Sequence, residues 1–279
     1  MTEMTEAPTS ALPAGAQFHR IAFAAGPAAG ETVLAEFPPA LGRRAVVIGT
    51  DPVVTPARGE LLVLAVPATG DEDLDLLAEI RDWADPPTAG AERTGQLLTL
   101  QGAQVFWTTA RLAVVASPDR LHAVRNAAVE VAYYDAELCA IETELASRWP
   151  ELEADTPLAF AFAEQSVRLR RQLAERFRRV FTLRARLARI TPHVLAPHAH
   201  PPTLATQLSE RLRERVRMAH RVESLDTQLE VFERVYEGCA EKVSEYMIAR
   251  TGHTLEWVII ILLLAQTILV AVDLLSAGK

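Results

Sequence analysis

From His253 to Leu275 the chain reads HTLEWVIIILLLAQTILVAVDLL, and no other stretch restricts the fold so severely. Sixteen residues without a charge separate Glu256 from Asp273, and eleven of them are Val, Ile or Leu. Each of those eleven contributes about −0.3 to −0.6 kcal/mol on an insertion scale, roughly −5 kcal/mol together. Gln266 and Thr267, near the middle, return part of that. As a helix the uncharged run reaches about 24 Å, against a hydrocarbon core of about 30 Å. The longer segment Leu255–Leu275 spans it if both carboxylates rest at the interface. Trp257 stands at one edge, where an aromatic belt forms. A helix enclosed by a soluble core usually keeps a polar stripe, and this one has none.

Residues 253–275 are therefore expected to form a single transmembrane helix, a tail anchor marked by Leu255, Glu256, Trp257 and Gln266. Glu256 is costly to immerse, so it should lie at the surface and pair with Arg250 or His253. Lys242 and Arg250 precede the run, which places the bulk of the chain in the cytoplasm against a bacterial inner membrane. The alternative is a cytoplasmic soluble oligomer with this helix buried between subunits.

The rest of the chain is that of a folded protein, with 49% hydrophobic and 23% charged residues among 279. Its net charge of −8 conceals an asymmetry. Residues 1–155 carry 23 acidic and 10 basic side chains, whereas 156–279 carry 13 and 18. Such opposite balances suit two structural units. Cys139 and Cys239 are far apart without CxxC spacing, which excludes a disulfide framework and favours a reducing compartment. The start, MTEMTEAPTSALPAGAQ, lacks the basic and apolar regions of a signal peptide and the arginines of a transit peptide; residues 1–16 read as a disordered acidic tail.

Between His19 and Ala116 the β-type runs HRIAFAA, RRAVVIG, GELLVLAVP, QLLTLQ, QVFWTT and RLAVVAS are broken by Gly and Pro. One helix, from Glu72, interrupts them. Residues 17–116 are thus expected to form an α+β domain with a mixed sheet. From Ser117-Pro118-Asp119 the apolar period becomes helical. A first helix is predicted to run to about Trp149. A second should start near Thr156-Pro157 and end near Ile190, with TPHVLAPHAHPP breaking the chain. The third starts at Thr203.

That third stretch keeps apolar steps of three or four residues from Leu204 through Leu212, Val216, Ala219, Val222, Leu225, Leu229, Phe232, Tyr236, Cys239 and Val243 to Met247. A lone helix of that length, about 65 Å, is unstable in water. Residues 117–252 are therefore read as a helical hairpin, or a coiled coil between chains, with Leu225, Leu229, Phe232, Tyr236 and Val243 as its seam.

Leu225–Gln266, LDTQLEVFERVYEGCAEKVSEYMIARTGHTLEWVIIILLLAQ, resembles the end of the "required for meiotic nuclear division", or YagE-like, family. There a helical segment leads through an LEW-type junction into one C-terminal hydrophobic helix. The matching positions are Asp226, Glu230, Tyr236, Glu237, Glu245, Tyr246, Leu255, Glu256 and Trp257. Many members carry an acidic residue inside that helix, where this chain has Gln266. The resemblance implies an uncharacterised α+β domain and a helical region ending in a membrane anchor, with no assigned enzyme activity. Eukaryotic members are associated with the mitochondrial inner membrane and support of mitochondrial translation; this chain looks more like a bacterial member.

Outside the anchor the strongest charge feature is SVRLRRQLAERFRRVFTLRARLARI, with nine arginines and Glu175 as the one acid. Arg168, Arg171, Arg178, Arg179 and Arg186 are the candidate contacts for anionic lipid, RNA or an acidic protein surface. Interleaved Leu, Val and Phe make one face core, so pairing across a hairpin with Glu210, Glu214 or Glu223 is the plainer expectation. His193, His198 and His200 lack a nearby Cys or carboxylate to complete a metal site. FAAGPAAG, from Phe23, lacks the ending of a phosphate loop. No nucleophile stands at recognisable spacing from a base, so neither enzyme activity nor a cofactor is expected. The functional expectation is a non-catalytic, membrane-tethered scaffold or assembly factor that homo-oligomerises through its helices. The alternative is a nucleic-acid- or ribosome-associated module using the arginine-rich helix.

Overall fold

A computed structural model describes residues 14–26, 31–51, 56–57, 59–68, 74–85, 95–160, 167–196 and 203–277, with side chains as far as 270. Most of the expected N-terminal tail, residues 27–30 of FAAGPAAG, and His198 and His200 lie outside the described residues. The protein is α+β. Among the described residues there are seven strands: β1 (Gln17–Ala25), β2 (Thr32–Glu36), β3 (Arg43–Gly49), β4 (Glu60–Pro67), β5 (Gln96–Leu100), β6 (Ala103–Trp107) and β7 (Arg111–Ala116). The helices are α1 (Leu74–Ala84), α2 (Pro118–Ala146), α3 (Trp149–Phe160), α4 (Arg170–Val194), α5 (Leu204–Arg215) and α6 (Met218–Ala277).

The chain divides into two compact units, each discontinuous in sequence: Met1–Thr143 with Ala185–Leu225, and Glu144–Arg184 with Asp226–Lys279. In the first, the sheet order is β2-β3-β1-β4-β7-β6-β5. β4 pairs parallel with β7, and every other neighbouring pair is antiparallel. β4 reads ELLVLAVP, with Leu61 to Val66 all buried, because both faces of this central strand are covered. Alternation sends Leu62, Leu64 and Val66 to one face, where Ile80 and Trp83 of α1 close the core. Phe18 meets Trp83 edge-on at 5.7 Å on that side. Phe23, odd-numbered on the same strand, meets Tyr133 of α2 at 5.2 Å, so α2 covers the opposite face. The β5–β6 turn places Gln101 and Gly102 at φ of 47° and 81°, the left-handed pair that a tight hairpin needs.

Four expectations are corrected. Thr32–Glu36 is a strand that the Gly- and Pro-rich flanks concealed; it pairs with β3 at the sheet edge. Thr156-Pro157 does not start a helix. α3 begins at Trp149, with Pro150 in its first turn and Pro157 inside it. Pro192 likewise lies within α4, which continues to Val194. The long third helix breaks at Arg217, whose φ of 52° is left-handed, leaving α5 and α6 as separate helices. The break shifts the apolar phase, so Met218 is buried and Ala219 exposed. Thr203 does cap α5, accepting from the backbone N–H of Thr206.

Candidate membrane anchor and the helical unit that carries it

Three helical segments build the second unit: α3 with the end of α2, the first part of α4, and α6 from Asp226 onward. Their shared core comes from a stripe of largely apolar side chains at helical spacing. Leu229, Phe232, Tyr236, Cys239 and Val243 recur every three or four positions and are buried. Trp149 packs edge-on against Phe232 at 5.0 Å, and Phe177 lies 6.1 Å from Tyr236. Gly238 lets α3 approach, since a Cβ there would stand 3.2 Å from that of Ala159. Of the expected seam, Leu229, Phe232, Tyr236 and Val243 are buried within this unit, and Leu225 is buried in the first unit.

A buried carboxylate fixes this unit. Asp155, 4% exposed, receives both oxygens' worth of hydrogen bonding from the Arg176 guanidinium, at 2.6 and 2.5 Å. Glu151 stands 3.7 Å from the same arginine. Burial, and then the Asp155 charge, push the Tyr236 hydroxyl well above its ordinary range. Burial likewise pushes the Cys239 thiol up to about 11, so it stays protonated and inert. The first unit has its own counterpart, where Arg221 bonds Asp135 and, at 2.6 Å, Glu142. Burial alone would lower the Arg221 guanidinium; the two carboxylates reverse that and raise it. Both sites escaped the sequence reading. The available signal was an acid on an apolar stripe: Asp135 between Val131 and Leu138, Asp155 between Leu152 and Leu158.

The candidate arginines separate by surroundings. Arg178 and Arg179 are exposed and share Glu175, at 2.8 and 3.4 Å, which holds that carboxyl below its usual range. Arg186 pairs with Glu137 at 2.9 Å in the first unit. Arg171 is exposed at the start of α4, and Arg168 is exposed just before it. Arg184 meets Asp226 and, at 3.8 Å, Glu233. The carboxylates reached by this helix thus include Asp155, Asp226 and Glu233, none of which was expected; Glu214 pairs with Arg211 at 3.0 Å. His193 is helical, its carbonyl accepting from Arg213 at 3.0 Å. Among the described residues no group of three or more His, Cys, Asp or Glu could hold a metal.

Beyond Val243 the helix leaves that core. From Leu255 to Val270 every described side chain is exposed, with Leu255 and Trp257 at 58% and Leu269 at 70%. Helix α6 is long and apolar enough to cross a membrane, and its most apolar window is 0% buried. The polar groups in this stretch are handled locally. Thr267 donates its hydroxyl to the Leu263 carbonyl at 2.7 Å, and Thr254 to Arg250 at 2.9 Å. Glu256 lies 3.1 Å from the ring of His253, one turn back, which provides the partner sought for it. Gln266 is exposed among its apolar neighbours.

A groove of about 410 Å³ lies between α4 and α6 where the buried stripe ends. Leu173, Phe177, Tyr236, Val243 and Met247 line it, with Arg170 as its charged residue. No protein-family model matches this sequence, and no curated protein matches it either.

Proposed function

We propose that the protein is a non-catalytic scaffold or assembly factor, tethered to a membrane by residues 253–275 and self-associating through its helical region. One observation carries this reading: the most apolar stretch of the chain, continuous with a folded helical unit, has no protein covering it. Exposed apolar surface of that extent is stable against lipid or another chain and costly against water. The YagE-like resemblance of Leu225–Gln266 agrees with this reading, and we take the chain as a bacterial member of that family, on the inner membrane with its bulk in the cytoplasm. Because the buried stripe is used internally, self-association draws on exposed apolar residues of the helical unit such as Phe181 and Val231.

The test compares the full chain with a truncation after Arg250 by liposome flotation and by light scattering in detergent. The full chain should float and resist alkaline carbonate, and the truncated chain should remain in the dense fractions. A full chain that stays dispersed and monodisperse without detergent or lipid would remove the tether. A ribosome- or RNA-associated module would show itself differently, through steeply salt-dependent binding lost in Arg178→Ala with Arg179→Ala.

A further inference from the structure

The groove between α4 and α6 has a chemical orientation. Arg170 lies at one end, with its Nη1 3.6 Å from the Met247 sulfur, whereas Phe177 and Tyr236 mark the other. The two helices are antiparallel here, since Arg170 meets Met247, Phe177 meets Tyr236, and Arg184 meets Asp226. The Arg170 end therefore faces the apolar run. Met247 precedes Leu255 by eight residues, about 12 Å of helix. The polar zone of one leaflet is about 5–7 Å deep, so a cation on a side chain as long as arginine reaches the headgroup region.

Apart from Ser244 on the rim and the Tyr236 hydroxyl the lining is apolar, and its volume falls in the range of small-molecule sites, about 300–1,000 Å³. Among the described residues Arg170 meets no carboxylate, and Arg171 beside it is exposed without an acidic partner. An apolar slot with the unneutralised Arg170 at one mouth is complementary to a molecule that is anionic at one end and hydrocarbon at the other.

We propose that this groove binds one anionic phospholipid of the supporting bilayer. The phosphate sits at Arg170, and an acyl chain turns out of the bilayer to lie along Leu173, Phe177, Val243 and Met247. This rests on the membrane tether proposed above and adds a second, lipid-selective attachment to it.

The test uses the full chain, reconstituted in phosphatidylcholine vesicles doped with phosphatidylglycerol, then extracted in mild detergent. Native mass spectrometry counts the phospholipid retained per chain. The wild type should hold one phosphatidylglycerol in preference to phosphatidylcholine. Ser244→Trp, at an exposed position on the rim, should fill the groove and abolish retention. Arg170→Gln should lower the preference for the anionic lipid by about fivefold, as loss of one interfacial arginine does.

A chain that floats with the vesicles but retains no phospholipid, or retains it equally in Ser244→Trp, overturns the lipid site and leaves the tether standing. Efficient disulfide cross-linking between chains through Ser244→Cys also overturns it, since a second copy would then occupy the groove. A chain that fails to float overturns both.

Discussion

Two parts of helix α6 are both rich in aliphatic residues and have opposite surroundings. Between Leu229 and Val243 the apolar side chains form one stripe, charged residues fill the other faces, and the stripe is buried against α3 and α4. Between Leu255 and Val270 the apolar side chains face every direction and all are exposed. A stripe is satisfied by a neighbour on one side, which a chain can supply for itself. An all-round apolar surface needs apolar surroundings on every side, which the helices of this unit do not give it. Under the tether proposed above, the same backbone changes solvent over Met247–Thr254.

The comparison is broken most severely by cutting it in two. Truncation after Arg250 should remove membrane association completely while the circular dichroism melt of the remaining chain keeps its cooperative transition. Phe232→Ala should act in the opposite sense: it empties the centre of the buried stripe and costs about 3–5 kcal/mol, read as a lower denaturation midpoint with flotation unchanged. If Phe232→Ala leaves the midpoint unmoved, the stripe is not a core.

A charge in the middle of the second region sharpens the same contrast. Ile261→Arg should raise the insertion cost by about 2.5–3.5 kcal/mol, a large share of the roughly −5 kcal/mol available from the aliphatic residues. Carbonate extraction should then release a substantial fraction of the chain. The corresponding arginine on the exposed face of the first region, Glu237→Arg, should leave both flotation and stability nearly unchanged.

The smallest effect concerns pH. Burial, helped by Arg125 and His122, holds the His19 imidazole below its ordinary value of 6.5. The folded state then binds its proton more weakly than the unfolded state does. Stability is therefore full above pH 6.5 and declines as pH falls from there through the lowered folded value. His19→Gln should flatten that part of the profile in a urea titration. Cys239 provides the alkaline counterpart: its folded thiol titrates near 11 rather than 9, so the contribution is present below pH 9 and lost as pH rises through 11.

Local pattern was enough to read much of this protein. Short β-type runs identify β1, β3, β4 and the β5–β6–β7 meander, and a period near 3.6 identifies the helices. The apolar run from Trp257 is legible because its composition, by itself, excludes water as a comfortable solvent on any side. What failed was punctuation. Pro157 and Pro192 read as boundaries but sit inside helices, because a proline costs one hydrogen bond and its neighbours' packing can offset that. The break at Arg217 is invisible to spacing, since apolar residues continue at suitable intervals on both sides of it.

The sequence alone determined most of the strand and helix segments and the stretch least suited to water, since both follow from the order of polar and apolar side chains along the backbone. Tertiary structure decided the partners. It put Asp155 under Arg176 and Asp135 under Arg221, turned the stripe from Leu229 to Val243 inward, and left Arg170 at the mouth of an apolar groove. Those outcomes depend on which helices meet, and residues far apart in the chain meet through packing and burial that no local period encodes.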